Sequence, residues 1–146
     1  MLKGIDPAIG PELLAILRAM GHGDEIVVAD ANFPASAVAR RLARADGVDA
    51  VRIVRAIAQI MPLDDFVPCA AFRMAVVDTP GEIPAIVPAF TQALHDGGYD
   101  GSIEALERFD FYTRARDAYA VVATGELRLY GNLILKKGVI RPAPGA

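Results

Sequence analysis

The sequence predicts an α/β layered fold. Amphipathic stretches of helical period alternate with short apolar, β-branched runs, and glycine or proline marks most boundaries between them. No internal repeat, low-complexity segment or linker interrupts the alternation. With 146 residues, the chain fits one core and reads as one domain over 1–146. Residues 142–146 read as a frayed tail.

The elements follow in order. Gly10-Pro11-Glu12 opens a helix with proline at its first position and an acid in its first turn. Leu13, Ile16, Leu17 and Met20 line one face, and Gly21 stops it. Ile26 to Ala29 is a short run suited to a buried strand, with Asp30 at its carboxyl end and Phe33-Pro34 as a break. Ser36 to Ala43 reads as a short helix and Asp46-Gly47 as a turn. Ala50 to Ile60 reads as a second long helix, with Ile53, Val54, Ile57 and Met61 on one side before Pro62. Val67 to Val77 reads as another buried strand, followed by an Asp78-Thr79-Pro80-Gly81 turn and a helix from Pro88 to His95 closed by Gly97-Gly98. Ser102 to Phe109 carries no clear period. Asp110 is a candidate cap for a helix bearing Phe111, Ala115, Ala118 and Val122, with Gly125 beyond its end. Leu127 to Leu135 reads as a final strand.

Composition narrows the function classes. A hydrophobic fraction of 53% and a mean hydropathy of +0.33 leave more apolar surface than so small a core absorbs, which points to a homo-oligomer. Fifteen basic against eighteen acidic residues give a net charge of −3, with no basic stripe for a phosphate backbone, so nucleic acid is not expected as a partner. The longest apolar run falls well short of the roughly 20 residues a membrane helix needs, and the opening MLKGIDP lacks a signal-peptide core. These features predict a cytoplasmic protein with no membrane partner. The lone Cys69 beside Pro68 reads as a buried, inert thiol.

Candidate chemistry is sparse. Two histidines 73 positions apart, one cysteine and no H-E-x-x-H or C-x-x-C spacing offer no local metal template, so no metal is expected. Gly21-His22-Gly23 precedes a strand instead of following one, so it is not a phosphate loop. No G-x-S-x-G is present, and Cys69 has no neighbouring base. Acid–base chemistry remains. The glycines flanking His22 leave its ring sterically open, and an imidazole exchanges protons near neutral pH. Asp30 sits where ligands bind in open α/β sheets, and a loop folded back on the strand would place both side chains in one pocket. The alternative is structural: a histidine meeting the last carbonyls of a helix, and an aspartate capping a turn. Arg108 stands just before a helix. Tyr130 and Asn132, two apart, share one face of a regular strand. Together these three supply donors and acceptors for a polyhydroxylated ligand; taken singly, they also suit a solvated charge, a surface ring and a turn residue. Lys136-Lys137 reads as a solubilising strand end, and His95 as structural.

Three separated stretches change this balance. M-G-H-G-D-E-I-V-V-A-D-A-N-F-P at 20–34, R-F-D-F-Y-T-R-A at 108–115 and T-G-E-L-R-L-Y-G-N-L-I-L-K-K-G-V at 124–139 closely resemble the L-fucose mutarotase and D-ribose pyranase family, and its fucose branch in particular. The resemblance runs from Leu2 to Val139, with little that is diagnostic between 62 and 107. It implies a three-layer α/β/α fold with a mixed central sheet, a ring-like oligomer that is decameric in several relatives, and a sugar site close to subunit contacts. It assigns the proton donor to His22 and sugar binding to Asp30, Arg108, Tyr130 and Asn132. The ribose branch typically has histidine where Arg108 stands.

The implied reaction opens a cyclic hemiacetal, moving a proton from the anomeric hydroxyl and one to the ring oxygen, and recloses it on the other carbonyl face without a cofactor. General acid–base catalysis supplies about 10²–10⁴-fold, enough for a reaction that already proceeds in water. The rival readings are ribose-type pyranose–furanose exchange, a non-catalytic monosaccharide-binding protein, and a structural oligomer with a vestigial site.

Overall fold

The computed structural model describes residues 1–145. Five helices, α1 (Pro11–Ala19), α2 (Ala35–Val38), α3 (Ala50–Ile60), α4 (Val87–Asp96) and α5 (Arg108–Asp117), alternate with six strands. The strands are β1 (Glu25–Ala29), β2 (Leu42–Ala45), β3 (Ala71–Met74), β4 (Ile103–Leu106), β5 (Ala120–Thr124) and β6 (Leu133–Lys136). They form one sheet in the order β2-β5-β1-β6-β3-β4. Only β6 runs antiparallel to its neighbours β1 and β3, so the sheet is mixed.

Both faces of the sheet are covered. Alternate residues of β1 point to opposite sides, and the core divides accordingly. Ile26 and Val28 pack with Leu13, Ile53, Ile57, Phe90 and Leu94 from α1, α3 and α4. Val27 and Ala29 pack with Val38, Phe111 and Ala115 from α2 and α5. This is the expected α/β/α sandwich. It explains why the central strands read as continuous apolar runs, as strands buried on both faces do.

Four local expectations are corrected. The helix expected from Ser36 to Ala43 stops at Val38, and β2 begins at Leu42. In L-A-R-A the alternation of buried and exposed positions, with Arg44 turned out on an edge strand, outweighs the helical propensity of alanine. The helix expected from Asp110 to Gly125 ends at Asp117, because Ala120–Thr124 is a fully buried strand between β1 and β2; the spacing of Val122 from Ala118 imitated a helical face. Its cap is Glu107, whose carboxylate accepts from Phe109 N–H at 2.7 Å and Asp110 N–H at 3.3 Å. The strand expected over Val67 to Val77 shortens to Ala71–Met74, and that over Leu127 to Leu135 shortens to Leu133–Lys136. The uncertain stretch near residue 102 becomes edge strand β4.

Lys137 has a structural task that was read as solubility. Its ammonium donates to the Leu17 and Met20 carbonyls at 2.8 and 2.6 Å, satisfying the open end of α1. Lys136 pairs with Glu25 at 3.1 Å. Cys69 is buried, and its thiol donates to the Ala71 carbonyl at 3.1 Å. Of the frayed tail expected at 142–146, residues 142 to 145 lie outside helix and strand and are exposed, while Ala146 lies outside the described residues. No helix among the described residues is long and apolar enough to cross a membrane.

Candidate active site

The parallel strands end on one edge of the sheet, and the loops there carry most of the polar residues singled out above. Asp30 follows the last residue of β1 and is 5% exposed. A buried carboxylate must be hydrogen-bonded, and this one is: Oδ1 accepts from Asn32 N–H at 2.9 Å and Oδ2 from Asn132 Nδ2 at 3.0 Å. The Asn132 side-chain oxygen in turn accepts from Asp30 N–H at 2.8 Å. Asn132 directly precedes β6, which is antiparallel to β1, so the pairing register itself brings the two residues together across 102 positions.

Tyr130 does not share a strand face with Asn132, as was expected. It lies in the loop before β6 with a left-handed backbone, φ +59°, and its hydroxyl accepts from Val77 N–H at 3.2 Å. The loop owes its shape to Glu126. That buried carboxylate accepts from Ala50 N–H at the start of α3 and from Arg128 N–H, Nε and Nη2, the last three at 2.8–2.9 Å. The Arg128 guanidinium holds the Glu126 carboxyl below its ordinary range, against the cost of burial. The Glu126 backbone carbonyl accepts from Ala31 N–H at 2.9 Å, tying the loop to the Asp30 segment. A β-carbon on Gly131 would stand 2.7 Å from Glu126 Cγ and 2.9 Å from the Arg128 carbonyl, so only glycine fits between them. Sequence reading missed Glu126; an acid two residues after a buried strand and two before an arginine was the available signal.

Arg108 is the first residue of α5 and stacks over Phe109 at 4.7 Å. Its guanidinium has no hydrogen-bond partner among the described residues. It lines a cavity of about 390 Å³ together with Val77, whose N–H meets Tyr130, and with Ala75, Asp78 and Glu107. Asp30 lines a second cavity of about 500 Å³ on the same edge, with Phe33, Ser36 and Thr124. Asp30, Asn132, Tyr130 and Arg108 thus all lie on the carboxyl edge, where open α/β sheets bind ligands, with Asp30 and Arg108 lining separate cavities. A carboxylate with spare lone pairs, a free amide N–H, a phenol and an unpaired guanidinium match a ligand with several hydroxyls.

His22 is elsewhere. It precedes β1, at the opposite edge, and the length of that five-residue strand separates it from Asp30 by about 16 Å at roughly 3.3 Å per residue. The single chain therefore does not place the two side chains in one pocket. Nor does His22 meet the last carbonyls of α1, since Lys137 does. Its Nε2 lies 3.1 Å from Asp64 Oδ1, and Phe66 packs against its ring at a centroid distance of 5.3 Å. The Asp64 side chain is 4% exposed, whereas that of His22 is 45% exposed. Burial works against ionisation of Asp64, but the Phe66 N–H, His22 and Lys136 together hold its carboxyl below the usual range. Asp64 was also missed: M-P-L-D-D-F contains two aspartates, and local pattern does not say which one turns inward. His95 sits near exposed Asp100 at 3.3 Å, a surface contact. Among the described residues no group of three or more His, Cys, Asp or Glu side chains gathers as a metal site.

Fold and site together define a class: three-layer α/β/α proteins whose carboxyl edge presents hydroxyl-matching groups and whose half-exposed histidine stands at the other edge. The chain belongs to the RbsD / FucU transport protein family, whose model matches residues 3–140. It is 46% identical over 140 residues to the L-fucose mutarotase of Haemophilus influenzae strain Rd, covering 95% of this chain and 97% of the relative. The crystal structure of the fucose mutarotase of Streptococcus pneumoniae in complex with L-fucose superposes with a TM-score of 0.90 at 47% identity, over 96% of this chain and 100% of that one. Bacillus subtilis RbsD complexed with D-ribose superposes with a TM-score of 0.70 at 26% identity, over 97% and 100%.

Proposed function

We propose that this chain is an isomerase that interconverts the α and β anomers of L-fucose, or of a closely related pyranose, by acid–base opening and reclosure of the ring. The observation that carries the reading is the set of polar groups on the carboxyl edge: buried Asp30 clasped by Asn132, and, around a second cavity of the same edge, Tyr130 on the Val77 N–H and Arg108, whose guanidinium has no hydrogen-bond partner among the described residues. Near-complete coverage by relatives described as fucose mutarotases supports it, and the greater likeness to the fucose-bound than to the ribose-bound structure favours the fucose branch. In this reading the enzyme works on free sugar in the cytoplasm as one domain and uses only proton transfers.

His22 is the proton-transfer group. Since one chain holds it at the far edge, it serves the pocket of a neighbouring copy. Exposed apolar side chains at both edges suit such a contact: Phe66 (64% exposed) packs beside His22, while Phe109, Leu127 and Leu129 surround the carboxyl edge. A contact joining two different faces of identical chains is heterologous, and it closes into a ring when the rotation permits. The expected ring-like homo-oligomer is then a condition of activity.

Two-dimensional exchange NMR on equilibrated L-fucose tests the function. Cross-peaks between the α and β anomeric protons are expected at mixing times where buffer gives none, with weaker exchange for D-ribose. Broadening without exchange would identify a binding protein, and faster pyranose–furanose exchange on ribose would move the chain to the other branch.

A further inference from the structure

The contact between His22 and Asp64 carries an inference about which ring nitrogen does the chemistry. Asp64 is fixed from several sides. Its backbone N–H donates to the Lys136 carbonyl at 3.0 Å, Leu63 before it bridges Lys137, and its Oδ1 accepts from Phe66 N–H at 3.0 Å. The same Oδ1 faces His22 Nε2 at 3.1 Å. The backbone next to His22 is also held, since Gly23 N–H donates to the Lys137 carbonyl at 2.8 Å, and Phe66 supports the ring from the side. A buried, ionised carboxylate has no hydrogen to give. The hydrogen in this contact therefore sits on Nε2, and in the neutral ring the lone pair sits on Nδ1. Nδ1 has no hydrogen-bond partner among the described residues, and the ring is half-exposed.

We propose that Asp64 is a positioning residue: it locks His22 in the Nε2–H tautomer and so makes Nδ1 the atom that exchanges protons with the hemiacetal. The inference rests on the reading of His22 as the proton-transfer group. As the bond between the anomeric carbon and the ring oxygen breaks, a protonated Nδ1 gives its hydrogen to that oxygen, and the anomeric hydroxyl loses its proton to water as it becomes the carbonyl. On reclosure the hydroxyl formed from the ring oxygen returns its proton to Nδ1, and the carbonyl oxygen regains one from water. Nε2 keeps its hydrogen on Asp64 throughout, so the ring neither rotates nor changes tautomer between the two half-reactions. This division of labour is general for histidines held by a carboxylate.

The chain has only two histidines, so long-range ¹H–¹⁵N spectra of the whole protein, with His95→Gln for assignment, read the His22 tautomer directly. In the neutral wild type, Nε2 is expected to be protonated and Nδ1 bare; a bare Nε2 would overturn the proposal without any change at Asp64. In Asp64→Asn the amide can donate to Nε2. The spectrum is then expected to shift toward the Nδ1–H form, and kcat for anomer exchange to fall about 10²-fold, within the range general acid–base catalysis supplies, while KM stays within about twofold. Adding Asp64→Asn to His22→Ala is expected to cost nothing more. An unchanged tautomer, a loss expressed in KM, or an equal further loss in the His22→Ala background each contradict the proposal. Full activity of His22→Ala itself would instead remove the catalytic reading of His22, while the tautomer spectrum would still report what Asp64 does.

Discussion

Replacing His22 with alanine is expected to remove the accelerated exchange of fucose anomers, lowering kcat by about 10²–10⁴-fold, the range attributed to a positioned acid–base group. KM is expected to change little, because the hydrogen-bonding groups that grip the sugar stand at the other edge of the sheet. The fold should be unaffected: His22 is half-exposed, its one polar side-chain contact among the described residues is with Asp64, and the end of α1 is satisfied by Lys137. Anomer exchange followed by NMR, with light scattering to verify assembly, checks both halves of the expectation. A variant that stays assembled and keeps the wild-type rate would exclude His22 from the reaction.

Replacing Asn132 with alanine is expected to act on binding. Asn132 makes two bonds to Asp30, accepting from its N–H at 2.8 Å and donating to its carboxylate at 3.0 Å. Its loss leaves a buried N–H without a partner and frees the carboxylate to turn. A hydrogen bond to a charged group is worth about 1.5–3 kcal/mol, which corresponds to about ten- to a hundredfold in affinity. The expected result is a KM for L-fucose raised by that factor, with a smaller change in kcat. Titration calorimetry of fucose into the variant separates the two, and an unchanged affinity would remove the Asp30–Asn132 pair from the pocket.

Much of the fold could be read from the chain because its signals are local. Proline at the start of α1 and the apolar faces of α1 and α3 act within a few residues. The errors came where pairing partners decide. Ala120–Thr124 is a strand because β1 and β2 flank it, and nothing in A-V-V-A-T alone separates that from the end of a helix. The stretch from Leu127 to Asn132 looks like a strand until the Glu126–Arg128 pair folds it over the start of α3.

The site shows the same division. Residue types and motif order pointed to Asp30, Tyr130, Asn132 and Arg108, and the sheet register accounts for the pairing of Asp30 with Asn132. The expectation that His22 would fold back onto Asp30 failed on geometry, because an extended strand keeps its two ends apart. Asp64 was invisible for a related reason: it works by burial against a distant segment, and spacing along the chain does not encode that.

The central claim is that the proton-transfer group of one copy completes the pocket of another, and mixing two variants, one impaired in turnover and one in binding, tests it most directly. His22→Ala supplies an intact pocket and Asn132→Ala an intact histidine. When the two are co-expressed in equal amounts and purified as mixed assemblies, a random arrangement joins the intact pocket to the intact histidine at about a quarter of the contacts between different faces. The account predicts recovery of about a quarter of wild-type activity at fucose concentrations where each variant alone is nearly silent. Activity no greater than the average of the two variants measured separately would mean that each pocket is served from its own chain, and would contradict it.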